Sequence, residues 1–101
     1  QRDYTYIDDI VEAIISALNK NFSFEIINLG SNKPIELKKF ISMIKKITGG
    51  KGSVEKLPGQ RGDVERTWAN IVKAKNILGW QPKTDIFDGL KYYLKWLKKN
   101  L

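Results

Sequence analysis

The feature that most constrains the fold is a helical pattern of apolar residues between positions 37 and 47. Large apolar side chains recur there at intervals of three and four, and lysines and a serine occupy positions between them. The apolar positions are Leu37, Phe40, Ile41, Ile44 and Ile47. This spacing predicts an amphipathic helix that packs with one face against the rest of the protein. Gly49 and Gly50 predict its end, because glycine readily adopts the left-handed conformation that closes a helix.

An earlier segment predicts another helix. Asp8 and Asp9 are placed to cap its N-terminus and to meet the positive end of its dipole. Its predicted inner face consists of Ile10, Val11, Ile14, Ile15 and Leu18. Asparagine and lysine after Leu18 suit the end of a helix, so we expect it to stop near residues 19–21.

Two more helices are predicted in the second half of the chain. Asn70 is a suitable N-cap for a short helix that ends at Gly79. Thr84 or Asp85 begins the last helix, and Gly89 within it suggests close packing at that point. The predicted inner face of the last helix consists of Ile86, Leu90, Tyr93, Leu94, Leu97 and Leu101.

Short apolar or alternating segments predict strands at residues 2–7, 24–29 and 53–57. We therefore predict an α/β fold of α+β-like composition, with about three short strands and four helices. Because three short strands make a small sheet, we expect this sheet to pack against a larger structure.

Composition narrows the possible chemistry. The chain has 101 residues, the size of one domain or part of one, and it lacks cysteine and histidine. Disulfides, thiolate metal sites and catalysis by those two residue types are thereby excluded, and we expect no metal. The net charge of +7 favours anionic partners such as nucleotides or nucleic acids, although many lysines lie on predicted helix faces and serve solubility.

The ends of the chain and its hydropathy give two further expectations. No apolar run is long enough to cross a bilayer, and no secretory signal is present, so we expect a cytoplasmic protein with no membrane contact. The sequence begins with Gln1, not methionine, and its first residues resemble an internal part of a longer sequence, so we expect a fragment or a processed product.

Residues 57–70 have no clear apolar period and contain the best candidates for ligand binding. Asp63 could accept hydrogen bonds from the vicinal hydroxyls of a ribose, and a carboxylate that stabilises a surface turn is the alternative. Gln60 both donates and accepts hydrogen bonds, which suits a base edge or a phosphate. Trp68 could stack on a base, although we favour core packing for this side chain.

Arg2 is a candidate on a different segment, at the head of the first predicted strand. Its guanidinium offers a planar fork of donors that fits phosphate oxygens, and a structural ion pair with a nearby acid is the alternative. Tyr92 and Lys95 are close in sequence, but we do not predict a catalytic pair there. The helical pattern makes Tyr93 a core residue and Lys95 a surface residue.

Several segments, in order along the whole chain, resemble the nucleotide-sugar epimerases and dehydratases of the extended short-chain dehydrogenase/reductase superfamily. They look most like UDP-glucuronate 4-epimerases and UDP-glucose 4-epimerases. The segments are Arg2-Asp3-Tyr4-Thr5-Tyr6-Ile7-Asp8-Asp9, Ile27-Asn28-Leu29-Gly30, Pro34-Ile35-Glu36-Leu37, Gln60-Arg61-Gly62-Asp63-Val64, Thr67-Trp68-Ala69-Asn70, Lys73-Ala74, Leu78-Gly79-Trp80-Gln81-Pro82-Lys83-Thr84 and Gly89-Leu90 through Trp96.

The resemblance implies that residues 1–101 are the C-terminal, nucleotide-sugar-binding domain of such an enzyme. The N-terminal Rossmann domain, which in the family holds NAD and the catalytic tyrosine and lysine, would be missing, so this part alone would be inactive. The full-length enzyme is expected to be a homodimer. It would epimerise a UDP-sugar by removing a hydride with NAD and returning it to the other face of the keto sugar.

The resemblance also implies a set of substrate-binding residues but no catalytic ones. Arg2 matches the arginine that contacts the nucleotide diphosphate, and Asp63 matches the carboxylate that holds the ribose. Tyr4 and Ile35 match positions near the uracil. Gln60 matches a position where glucuronate epimerases often carry glutamine.

Alternatives of other classes remain at this point. The charge and the lysine-rich helices also fit a small basic nucleic-acid-binding module, although no motif of that class is present. An inert fragment that associates with itself through apolar surface is another alternative. Within the resemblance, the sugar and the choice among epimerisation, dehydration and decarboxylation stay open. Thr67 and Arg61 depart from the family pattern and leave specificity unassigned.

Overall fold

The structure, a computed structural model, describes residues 1–50 and 65–101. These residues form four α-helices, which confirms the predicted number and order. The helices are α1 (Ile7–Leu18), α2 (Leu37–Thr48), α3 (Val72–Leu78) and α4 (Ile86–Asn100). Within the described ranges, no helix has both the length and the apolar character needed to span a bilayer.

The helix ends agree with the local signals in most cases. Gly49 and Gly79 have φ angles of 68° and 64° and end α2 and α3 in the predicted left-handed conformation. Asn70 precedes the nominal N-cap of α3 by one residue, yet its Oδ1 accepts a hydrogen bond of 3.1 Å from the backbone N–H of Val72. Asp85 is the N-cap of α4, one of the two predicted starts.

The predicted small sheet is not confirmed in the described residues. The segment 2–7 makes one isolated antiparallel bridge, between Arg2 and Ile35, and helix α1 already begins within it. Residues 24–29 form no strand, because a ladder needs a second extended segment at pairing distance and no described segment pairs with them. Phe24 and Ile26 are 78% and 69% exposed, whereas Ile27 and Leu29 of the same segment pack against the core. The third predicted strand, 53–57, lies outside the described residues.

The core lies between α1 and α3 and is completed by Trp80. Its buried members are Ala13, Ala74, Leu78 and Trp80, with Ala17, Ile27, Leu29, Ile71 and Ile77 packed around them. The indole N–H of Trp80 donates a 2.9 Å hydrogen bond to the backbone carbonyl of Asp9. The polar end of this large apolar side chain is therefore satisfied inside the core.

Much of the predicted inner face of α1 is exposed to solvent, contrary to expectation. The side that packs carries Asp9 and Ala13, both buried, whereas Ile15 and Leu18 are 54% and 78% exposed. The molecule is only 19 Å across its shortest dimension, about two helix diameters. Because so thin a molecule covers only one side of α1, the rest of its wide apolar face has no described neighbour.

Helices α2 and α4 form a second contact. Ile86, Leu90, Leu94 and Leu97 are half-buried as predicted, but Tyr93 and Leu101 are exposed, so their placement in the inner face was wrong. The close packing predicted at Gly89 is confirmed, because a Cβ atom there would lie 3.1 Å from the ring of Tyr6.

Candidate functional site

The N-terminal segment lies between two other parts of the chain and is bonded to both. Arg2 and Ile35 exchange backbone hydrogen bonds of 3.1 and 2.8 Å. On the other side, the backbone N–H of Thr67 donates to the carbonyl of Gln1 at 3.0 Å, and the terminal amino group of Gln1 donates to the carbonyl of Glu65. Arg2 is thus held next to residues 65–67, near the C-terminal end of the candidate segment 57–70.

The carboxylate of Asp3 connects these segments further. Its Oδ1 accepts hydrogen bonds from the backbone N–H of Ser31, at 3.0 Å, and from the Ser31 hydroxyl. Its Oδ2 accepts from the backbone N–H groups of Asn32, at 3.0 Å, and Ala69, at 2.9 Å. We call Asp3, Ser31, Asn32 and Ala69 the Asp3 cluster. It joins residues that are 28 to 66 positions apart in sequence.

The environment of Asp3 favours its charged form. Burial alone raises the pKa of this carboxyl, but the hydrogen bonds from Ala69, Ser31 and Asn32 outweigh burial and hold the pKa below its ordinary value of 3.8. Gly30 permits the close approach, because a Cβ atom at that position would lie 2.6 Å from the Cβ of Ala69 and 2.8 Å from Oδ2 of Asp3. The cluster is therefore charged at neutral pH and sterically tight.

Three of the predicted binding residues fall in the described part of the chain. Arg2 and Ile35 are adjacent through their backbone bridge, and Nη1 of Arg2 donates to the carbonyl of Gln1 at 3.0 Å. The ring of Tyr4 stacks on Phe40 of α2 with a centroid separation of 4.0 Å and an interplanar angle of 2°. One face of the Tyr4 ring is therefore covered by the protein.

The predicted binding residues Gln60 and Asp63 lie outside the described residues, so their roles stay predictions. The described structure does bring residues 65–69, which follow them, to the side of Arg2.

The placement of Trp68 corrects the favoured sequence interpretation. This side chain is 53% exposed and is not a core residue. Its neighbour Ala69 is held by Asp3 and approaches Gly30 closely, so Ala69 is the residue of this segment that faces inward. The guanidinium of Arg66 lies over the Trp68 ring, 4.5 Å from its centroid. The buried tryptophan of the chain's described part is Trp80.

Asp9 also differs from its predicted role as a helix cap. Tyr6 occupies the N-cap position of α1, and Asp9 is only 4% exposed. Its carboxylate accepts hydrogen bonds from the backbone N–H groups of Lys83 and Thr84, at 3.2 and 2.9 Å, and from the Thr84 hydroxyl at 3.0 Å. Sequence reasoning missed this role because a first-turn aspartate already has a local explanation, and its partners lie 74 and 75 residues away.

Two surface grooves of about 420 Å³ each lie elsewhere on the molecule. One is lined by Tyr6, Asp8, Tyr92, Lys95, Trp96 and Lys99. The other borders the Asp3 cluster through Ser31 and Asn32 and continues along residues 81–85. Arg2, Tyr4 and Ile35 line neither of these two grooves, so groove volume alone does not identify the candidate site.

Comparison with solved structures identifies the class of protein. The backbone matches the UDP-glucose 4-epimerase of Thermotoga maritima, solved with UDP-glucose, with a TM-score of 0.89 and 33% identity over 97% of this chain and 31% of that one. It also matches the UDP-glucuronic acid 4-epimerase of Bacillus cereus, solved with UDP-glucuronic acid and NAD, with a TM-score of 0.87 and 32% identity over 98% of this chain and 32% of that one. The fold therefore matches a part, about a third, of the extended short-chain dehydrogenase/reductase epimerases.

Sequence comparison identifies the family. Residues 1–93 match the family model described as GDP-mannose 4,6 dehydratase, and the chain belongs to that family. The UDP-glucuronate 4-epimerase of Thermodesulfobacterium geofontis is 44% identical over 101 residues, which cover 99% of this chain and 31% of that protein. The predicted resemblance is confirmed, and the chain spans about a third of the length of the curated relatives that it matches.

Proposed function

We propose that residues 1–101 are the C-terminal, nucleotide-sugar-binding domain of a longer NAD-dependent UDP-sugar epimerase. Arg2 binds the diphosphate, Tyr4 and Ile35 lie beside the uracil, Gln60 contacts the substrate and Asp63 accepts hydrogen bonds from the ribose. These residues hold the remote part of the substrate, so they contribute to catalysis by positioning the sugar for reaction.

The observation that carries this proposal is the convergence of segments around Asp3. Residues 1–3, Ile35 and residues 65–69 of the candidate segment are joined by backbone hydrogen bonds and by the Asp3 carboxylate. Arg2 and Asp63 are far apart in sequence, so both can contact one ligand only if their segments lie side by side. The arrangement supports that requirement, because it brings residues 65–69 beside Arg2.

The family membership supports the reaction class over the nucleic-acid alternative. The chain has no glycine-rich dinucleotide motif, and we assign NAD, which the Bacillus cereus relative contains, to the remainder of the longer enzyme. When bound there, NAD supplies the hydride acceptor for a reaction that passes through a keto sugar. No residue of this chain is assigned a bond-making role.

The surface of α1 supports a larger neighbouring body. Ile7, Val11, Ile14, Ile15 and Leu18 are all exposed large apolar residues on this one helix. Contiguous apolar surface of this kind is typical of regions that another domain or chain covers. We propose that the remainder of the enzyme covers it and that the full-length enzyme is a homodimer.

Isothermal titration of UDP, UDP-glucose and UDP-glucuronic acid into the full-length enzyme tests the site. Arg2→Ala and Asp63→Ala should each weaken binding of all three ligands by about tenfold, since each removes a charged hydrogen-bonding group. Lys91→Ala is the charge-matched control for Arg2→Ala, because Lys91 is an exposed cation on α4 that pairs with Asp88. Unchanged affinity in both site variants would remove the site assignment.

Mass spectrometry of the product tests the reaction. An epimerase gives a product of the same mass as its substrate. A dehydratase product is lighter by one water molecule, and a decarboxylase product is lighter by carbon dioxide. A lighter product would contradict the proposed epimerisation while leaving nucleotide-sugar binding intact.

A further inference from the structure

The Asp3 carboxylate is the described side chain that fixes Arg2 in relation to two other segments. Arg2 is bonded to Ile35 through its backbone, and Asp3, one residue later, holds Ser31, Asn32 and Ala69. The resemblance assigned roles to Arg2 and Tyr4, on either side of Asp3, and none to Asp3 itself.

We propose that Asp3 is a positioning residue for nucleotide binding, which sets the distance between the Arg2 guanidinium and residues 65–69 of the candidate segment 57–70. This inference rests on the proposed function and assigns a new residue to the same site. Asp3 touches no substrate in this scheme and acts only through the residues that it holds.

The geometry shows why one carboxylate has this effect. Each of its two oxygens accepts from two donors, so rotation of the carboxylate about its bond is blocked in both directions. The bond to Ala69 and the bond from Thr67 to Gln1 fix residues 67–69 at two points. Without the carboxylate, this segment keeps its attachment to Gln1 but loses the one beside Arg2.

Substitution by asparagine and by alanine should give graded effects. An asparagine at position 3 can direct its amide oxygen towards the N–H groups of Asn32 and Ala69 and its NH₂ group towards the Ser31 hydroxyl. It loses only the bond from the Ser31 backbone. Alanine loses every bond of the cluster, so Asp3→Ala should bind nucleotide more weakly than Asp3→Asn.

Asp9 offers a matched control for loss of stability. Like Asp3, it is a carboxylate that accepts hydrogen bonds from distant residues, but it accepts three and its partners are Lys83 and Thr84. Asp9→Ala should therefore destabilise the protein without changing the Asp3 cluster. Affinity measured well below the unfolding temperature then separates positioning from general destabilisation.

The experiment is isothermal titration of UDP into the full-length enzyme for the wild type, Asp3→Ala, Asp3→Asn, Asp9→Ala, Arg2→Ala and Arg2→Ala/Asp3→Ala. We expect about tenfold weaker binding in Asp3→Ala, a smaller loss in Asp3→Asn and wild-type affinity in Asp9→Ala. In the Arg2→Ala background the Asp3 change should cost only about threefold, because residues that act through one another are not additive.

The outcomes separate the two proposals. A wild type that does not bind UDP overturns the proposed function. A wild type that binds UDP, with equal losses in Asp3→Ala and Asp9→Ala or with fully additive effects of Arg2 and Asp3, overturns the positioning role alone. If Asp3→Ala does not fold, the affinity of Asp3→Asn for UDP becomes the test of the positioning role. Wild-type affinity in both Asp3→Asn and Ser31→Ala would refute the inference.

Discussion

Replacement of Asp9 by alanine should be among the most destabilising single changes in the described part of the chain. The carboxylate is 4% exposed and accepts hydrogen bonds from two backbone N–H groups and one hydroxyl. Removing it leaves three donors, at Lys83 and Thr84, without their acceptor. Each uncompensated donor costs about 1–3 kcal/mol when it is buried.

Water reduces this sum, because Lys83 is exposed and Thr84 only half-buried. We therefore expect the free energy of unfolding to fall by about 2–4 kcal/mol, a large share of the about 5–15 kcal/mol typical of folded proteins. Urea denaturation followed by tryptophan fluorescence measures this change. For an m-value of about 2 kcal/mol per molar, the midpoint should fall by about 1–2 M.

Asp8→Ala is the matched control. Asp8 lies in the same first turn of α1, so the two substitutions remove the same charge and the same interaction with the helix dipole. Asp8 is exposed, and we expect its replacement to cost less than about 1 kcal/mol. Thr84→Val removes only the hydroxyl bond to Asp9 and should cost about 1 kcal/mol. Equal losses in Asp8→Ala and Asp9→Ala, within about 0.5 kcal/mol, would refute the reasoning.

Three further predictions concern other positions. Gly30→Ala should lower the free energy of unfolding by about 1–3 kcal/mol, because its Cβ would lie 2.6 Å from a neighbouring methyl carbon. A Cβ atom at Gly79 meets no such contact, so Gly79→Ala should lower the free energy of unfolding by only about 1 kcal/mol, the cost of its left-handed φ of 64°. Equal urea midpoints for Gly30→Ala and Gly79→Ala would contradict this difference. Trp80→Phe should cost about 1–3 kcal/mol and the exposed Trp68→Phe less than about 0.5 kcal/mol, and the reverse order in thermal unfolding would be contrary evidence. Because folding lowers the pKa of Asp3, its stabilising contribution is present above the ordinary value of 3.8 and is lost as pH falls through the folded-state pKa, so an acid titration should destabilise Asp3→Asn less than the wild type.

The helices could be predicted from sequence because their signals are local. The apolar spacing and the terminal glycine of α2 both lie within its own segment, and the structure ends that helix at Gly49. The same holds for α3 and Gly79. The close packing at Gly89 was also predictable, because glycine inside a helix is unfavourable unless a neighbour requires the space.

Local signals could not predict which helix faces are buried, nor the long-range hydrogen bonds of Asp3 and Asp9. Which side of α1 packs depends on α3, whose contact residue Ala74 is about 60 positions away. Asp9 and Asp3 have partners 74 and 66 residues away, so no local pattern marks them. Trp68 and Trp80 are the same residue type and so have the same intrinsic preferences. Only the tertiary structure shows that the ring of Trp68 is exposed and that of Trp80 is buried.

The short spacing between Asp3 and Asp9 limits how the length of this chain can change. The two carboxylates hold separate groups of distant residues, yet only five residues stand between them, and the structure of those residues is fixed at both ends. One inserted or deleted residue there would displace one carboxylate by up to about 3.3 Å, more than a hydrogen bond tolerates. Gly50 is exposed and belongs to neither group, so we expect an insertion there to leave both carboxylates in place. Circular-permutation sites and inserted linkers should therefore be placed at Gly50 and not between Asp3 and Asp9.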